Sequence, residues 1–289
     1  MKYDLTDYKT IKALCESYDF YLSKRKGQNF LTNPSICPAM AKHSGAGVGV
    51  GILEIGPGLG VLTAELAKTA EKVVTIELDE RLRPILNKTL SEFNNIEIVF
   101  GDALKLDISR LIQQHFENLK VSVCANLPYY ITSPIIMRLL ESRLPIDSIT
   151  VMVQKEAADR LCAEPGSRAS GAITHAVRYY SRPEILFDVS RESFFPSPNV
   201  DSSVIKFNIL NTPPVSVRDE ALFFRIVKSA FSQRRKTILN SLSAGLGVSK
   251  ELISKLLSQA DIPLSERAEK LRMEDFARLS ELFIESQHE

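Results

Sequence analysis

Short runs of apolar residues recur along the first two-thirds of the chain, each too short for a helix and bounded by polar or glycine-containing segments. Gly51–Ile55, Val73–Ile76, Ile96–Phe100, Val121–Ala125 and Ile149–Val153 carry this signature and predict buried strands. Between them the spacing shifts to the helical period. Helices are predicted over Val61–Ala70, Asp79–Phe93, Ile108–Phe116 and Ser133–Glu141. The last carries Pro134 in its first turn, where a missing N–H leaves no bond unmade. Ile36, Ala39, Met40 and His43 share one helical face behind Asn33-Pro34. Apolar strands alternating with helices call for a mostly parallel sheet covered on both faces, an α/β architecture. Ile185–Val189 and Val204–Ile209 predict two further strands that close the sheet as an antiparallel pair.

The pattern changes at Asn211-Thr-Pro-Pro-Val215. Two prolines there remove backbone donors and disfavour helix. Beyond them, Leu222, Ile226 and Ala230, then Leu252 and Leu256, then Phe276, Leu279 and Phe283 mark amphipathic helices. The chain is therefore expected to divide into an α/β domain over residues 1–212 and a small all-helical domain over 213–289. Gly45–Gly51 is a flexible entry loop rather than a ligand loop. It precedes its strand, whereas ligands bind at the carboxyl ends of parallel strands. Glu164–Ser167 is rich in turn residues and predicts a mobile loop.

Composition excludes several classes. With 289 residues, 44% hydrophobic and 25% charged, the chain reads as an ordinary soluble protein. Its net charge of +1 means that any nucleic-acid surface must come from local clustering of Lys and Arg. The four cysteines (Cys15, Cys37, Cys124, Cys162) form no C-x-x-C pair, which points to a reducing cytoplasm rather than a disulfide framework. His43, His115, His175 and His288 have no metal-ligand spacing, so no metal is expected. No apolar leader core or long apolar run occurs, so neither export nor membrane insertion is expected.

Two strand ends carry candidate chemistry. Glu54-Ile-Gly-Pro-Gly-Leu-Gly60 follows a strand and opens a helix, where Gly56 and Gly58 let backbone approach a ligand. About twenty residues on, Glu77 ends the next strand, where a carboxylate can accept from a ribose diol. Asp102 follows the third strand and can accept from an adenine amino group. A dinucleotide fingerprint would need glycine where Val61 stands, so the pattern suits a nucleoside without pyrophosphate. Asn126-Leu-Pro-Tyr-Tyr130 follows the fourth strand. An adenine N6 amine is a poor nucleophile because its lone pair is delocalised into the ring. The amide oxygen of Asn126 and the carbonyl of Pro128 can accept its two N–H bonds and favour a pyramidal nitrogen. Tyr129 offers a face for an extruded base.

Together these segments, with Gln28–Leu31, Ile76–Asp79, Gly101–Ala103, Phe194–Ser202 and Phe231–Thr237, resemble the ribosomal RNA adenine dimethyltransferase family. The motifs stand in the family's order from about Lys24 to Leu279. Within the family they most resemble the bacterial branch that dimethylates two neighbouring adenosines near the 3′ end of small-subunit 16S RNA. The resemblance implies a Rossmann-like sheet that uses S-adenosylmethionine, and 16S rRNA within a small-subunit precursor as partner. It implies that Gln28, Asn29, Leu31, Gly56, Gly58, Glu77, Asp102 and Asn126 bind the cofactor. It also implies that Asn126, Pro128, Tyr129 and Phe194 serve the target base, although Phe194 also reads as a plain core wedge. Lys26 and Ser170 depart from the family, where an apolar and an aromatic residue are usual.

Arg234, Arg235 and Lys236 lie in an acid-free stretch and suit a phosphate backbone, as does the cluster Lys24–Lys26; a solvated face is the plain alternative for both. A monomer is expected, because no exposed apolar stripe is left over. Three other readings stay open: a resistance-type methyltransferase acting on large-subunit 23S RNA, an assembly factor that hardly turns over, and a nicotinamide dehydrogenase. The Phe231–Lys236 segment and adjacent Tyr129 and Tyr130 favour the small-subunit branch. Intact Asn126, Pro128 and Tyr129 argue against a dead site, and Val61 against the dehydrogenase.

Overall fold

The computed structural model describes residues 3–21, 29–233 and 235–287. In chain order the first elements are α1 (Tyr8–Ser17), β1 (Phe30–Leu31), α2 (Ile36–His43), β2 (Val50–Ile55), α3 (Val61–Ala67), β3 (Lys72–Glu77), α4 (Arg83–Thr89), β4 (Ile96–Phe100), α5 (Ile108–His115), β5 (Lys120–Asn126), α6 (Thr132–Glu141) and β6 (Ser148–Gln154). Then come α7 (Lys155–Cys162), α8 (Ala172–Tyr180), β7 (Ser181–Val189), β8 (Phe194–Phe195) and β9 (Ser202–Ile209). The helices α9 (Glu220–Ala230), α10 (Ile238–Leu246), α11 (Lys250–Gln259) and α12 (Met273–Ser286) complete the chain.

Seven strands form one sheet in the order β4-β3-β2-β5-β6-β9-β7. The pairs β3/β4, β2/β3, β2/β5 and β5/β6 are parallel, and β9 runs antiparallel to β6. The apolar strand runs are explained by burial on both faces: Ile52, Leu53, Val73, Val74, Val123, Cys124, Ile149 and Val151 are fully covered. The strand order reverses between β2 and β5, and such a switch point opens a crevice at the carboxyl ends of the strands. Glu54 pairs in register with Thr75 on one side and Cys124 on the other.

The predicted strands all form, within a residue or two of their expected ends except β7, which starts at Ser181, four residues before the expected Ile185. The predicted helix Asp79–Phe93 does not form as one piece. Asp79 caps a short 3-10 turn over Glu80–Leu82, and α4 starts anew with Pro84 in its first turn. Proline has no N–H to continue the earlier ladder. The helices α7, α8 and α10 went unpredicted, as did α1, opened by the Asp7 carboxylate accepting from Thr10 N, and the ribbon of β1 with β8. That ribbon pairs Leu31 with Phe194 and Phe30 with Phe195.

The chain separates into two units, one of residues 1–158 and 182–209, the other of 159–181 and 210–289. The expected boundary after residue 212 falls close to the second division. The segment 159–181, expected in the α/β domain, instead belongs to the helical unit. The reason is long-range packing that local periodicity does not report. Tyr179 and Tyr180 pack on Phe223 and Phe224 of α9, and both hydroxyls donate to Glu220. His175 packs against the rings of Phe231 and Phe276, which also touch each other. In the same unit α9 and α10 approach closely at Gly245, where a Cβ would stand 2.6 Å from Ser229 Cβ. No described helix is long and apolar enough to cross a membrane.

Candidate active site

After β2 the chain turns through Gly56, Gly58 and Gly60 into α3. Gly56 and Gly60 have φ of 76° and 93°, a left-handed backbone that glycine alone adopts without strain. At Gly60 a Cβ would also meet Leu90 Cδ2 at 2.9 Å. The loop is tied to its neighbour by Gly56 N donating to Ile76 O at 2.9 Å, and Gly101 N donates to Glu77 O at 2.8 Å. The carboxyl ends of β2, β3, β4 and β5 thereby border one cavity that opens to solvent.

Asn29, Leu31, Gly56, Gly58, Glu77, Asp102, Asn126, Pro128, Tyr129 and Phe194 all line this cavity. Gln28 and Arg234 lie outside the described residues, as do Lys24–Lys26. Arg235 and Lys236 are exposed in the helical unit, just before α10. Leu78, Ala103 and Tyr130, for which no contact is expected from the sequence, also line the cavity. Leu78 and Tyr130 are half-exposed. An apolar residue directly behind a strand-end carboxylate was a usable signal for Leu78.

Each polar group has a distinct environment. Glu77 is 6% exposed, and burial pushes its carboxyl above the usual range against the pull of the Asp79 N–H at 2.7 Å. Asp102 Oδ1 accepts from Leu104 N at 2.9 Å, and Lys105 lies 3.7 Å from Oδ2. Glu54 does not line the cavity. It is wholly buried, and desolvation lifts its carboxyl to about 7 although Thr63 Oγ1 donates to Oε2 at 2.6 Å. The Thr75 hydroxyl, opposite it on β3, also pulls this carboxyl down, less than burial lifts it.

Asn126 ends β5 on the cavity, and its amide makes no hydrogen bond with any described residue. Pro128 O accepts from Ile131 N at 3.1 Å and, at a long 3.4 Å, from Thr132 Oγ1. Tyr129 is pinned by a 2.9 Å hydrogen bond between its hydroxyl and Ser202 Oγ on β9, and burial raises its phenol. Phe194 is 5% exposed and forms a wall. No group of three or more His, Cys, Asp or Glu side chains suited to a metal occurs among the described residues.

The arrangement offers glycine backbone for close approach, two strand-end carboxylates as acceptors, an apolar surround and an unengaged amide. That donor set fits a nucleoside-bearing cofactor beside an amine to be modified. The family profile described as ribosomal RNA adenine dimethylase matches residues 20–285. The chain belongs to this family. The dimethylase relatives include a ribosomal RNA small subunit methyltransferase A from Oceanobacillus iheyensis, 44% identical over 99% of this chain and 98% of its own. Another of the same name, from a Geobacillus species, is 46% identical over 97% and 98%. Among solved structures, a dimethyladenosine transferase from Plasmodium falciparum is similar with TM-score 0.73 and 27% identity, covering 89% of this chain and 98% of that one. The 23S rRNA methyltransferase ErmE is similar with TM-score 0.66 and 26% identity, covering 88% and 98%. The expected Rossmann-like methyltransferase sheet is thus the dimethylase fold seen here.

Proposed function

We propose that this chain transfers methyl groups from S-adenosylmethionine to the N6 amines of two adjacent adenosines near the 3′ end of 16S rRNA, in a precursor of the small subunit in the cytoplasm. The observation that carries the reading is the unengaged Asn126 amide beside the Pro128 carbonyl, on the cavity that Gly56, Glu77 and Asp102 also line. The full-length similarity to proteins named for the small subunit supports the choice of RNA.

When bound, the cofactor supplies an electrophilic methyl. Glu77 would accept from the ribose, Asp102 from the adenine amino group, and Gly56 and Gly58 would let the chain pass close by. Asn29 and Leu31 would border the cofactor. Asn126 Oδ1 accepts one N6–H of the target and Pro128 O the other, which localises the nitrogen lone pair. Pro128 O already holds the Ile131 N–H, so it is the weaker acceptor. After one methyl only one N–H remains, and Asn126 alone suffices for the second transfer. The proton becomes acidic only after transfer, so no base is needed beforehand. Tyr129 and Phe194 would hold the base in line, so alignment supplies the rate. Arg235 and Lys236 would meet phosphates, together with Arg234.

The test is transfer of labelled methyl groups to two substrates: small subunits from cells lacking this modification, and protein-free 23S RNA. Dimethyladenosine in 16S RNA alone, identified by nucleoside mass spectrometry, is the expected result. Product only in 23S RNA would replace the reading with the resistance type. Tight binding without transfer would leave an assembly factor.

A further inference from the structure

Tyr129 and Tyr130 are chain neighbours with opposite surroundings. The first is held by Ser202 and half-buried. Tyr130 is 54% exposed, lines the same cavity, and makes no hydrogen bond or ring contact with any described residue. Its backbone is nevertheless fixed. It sits in a 3-10 turn over Tyr129–Ile131, closed by Ile131 N donating to Pro128 O at 3.1 Å. The exposed pair Tyr8 and Phe195, by contrast, pack edge to face on each other at 4.5 Å. Tyr130 is thus a flat, uncontacted ring carried on a fixed backbone turn at the rim of the cavity that holds Asn126.

We propose that Tyr130 stacks the nucleobase adjacent, along the strand, to the adenine being methylated. This rests on the reading of the cavity as an RNA adenine site. A polynucleotide cannot leave its neighbours behind. The base one phosphodiester step from the one beside Asn126 must lie at the cavity rim. Drawing the target out strips that neighbour of a stacking partner, and an exposed ring restores one. Stacking uses the face of a base and ignores its edge, so the ring accepts a neighbour whose N6 is already methylated. Tyr130 therefore serves both targets in turn, setting their register rather than reading their identity.

The test is a cycle on reconstituted small subunits that carry, beside one target adenosine, either the natural base or an abasic nucleotide, on the 5′ or the 3′ side. Base–aromatic stacking predicts that Tyr130→Ala raises KM for the natural subunit about 5- to 150-fold. An abasic neighbour on one side should raise it similarly for the wild-type protein, and the two changes together should do no further harm. Tyr130→Phe and Tyr130→Trp should retain the wild-type KM. Tyr130→Leu repeats the cycle with apolar bulk retained, in case alanine loosens the turn. Losses that multiply on both sides, or no loss on Tyr130→Ala, would overturn the proposal while leaving the functional reading intact. Absence of transfer by the wild-type protein to natural subunits would overturn both.

Discussion

Replacing Glu54 by Gln should flatten the dependence of stability on pH, with a size that follows from the burial of this carboxyl. In the folded chain it titrates at about 7, against an ordinary value of 4.5. Between those values the folded state holds a proton that the unfolded chain has released. Stability contributed by this residue is therefore greatest at low pH and falls by about 1.4 kcal/mol per unit as pH rises through the window. From pH 5 to pH 8 the loss comes to about 2.5 kcal/mol. Glutamine is close in shape, stays neutral, and keeps an oxygen to accept from Thr63, so it mimics the protonated acid at every pH. Urea denaturation of both proteins at pH 5 and pH 8 isolates the effect as a difference of differences. The wild-type protein should lose about 2.5 kcal/mol more than Glu54→Gln over that interval. Parallel losses would show that Glu54 is charged and solvated in the folded state, and would refute the argument.

His175 should act with the opposite sign. Burial lowers its pKa from 6.5 to about 4, so its contribution is full above pH 6.5 and is lost as pH falls through the window; His175→Phe should remove that loss in acid denaturation of the helical unit. Asn126→Ala should lower kcat by about 100- to 1000-fold, the size seen when one positioned polar group is removed from a reacting centre, with RNA binding measured by filter retention largely kept. Gly245→Ala forces a methyl against Ser229 and should cost about 1–3 kcal/mol in thermal unfolding.

The parallel sheet was readable because its strands are buried on both faces, which leaves unbroken apolar runs such as Ile96–Phe100 and Val121–Ala125. The cavity was readable because its polar parts sit at strand ends, where Gly56, Glu77, Asp102 and Asn126 each interrupt a run. Contacts made across long sequence distances were not. Nothing local announces that Leu31 pairs with Phe194, or that Tyr179 and Tyr180 belong with α9. Tyr130 could be noticed as a motif residue, but that its neighbour Tyr129 is the pinned one depends on Ser202, far along the chain. Pro84, inside the expected helix Asp79–Phe93, restarts it because it carries no N–H to continue the preceding turn.

The division of the chain bears on how it is made. On a ribosome the segment 159–181 emerges ahead of residues 182–209 and well before 210–289. The sheet can therefore receive its last two strands while α8 still lacks Phe223, Phe224 and Glu220. Two tyrosines and a histidine must wait, exposed, for roughly as long as α9 and α12 take to leave the exit tunnel. During synthesis the nascent chain thus passes through a stage with a nearly finished catalytic sheet and a sticky, orphaned helix, which is where a chaperone would be needed most.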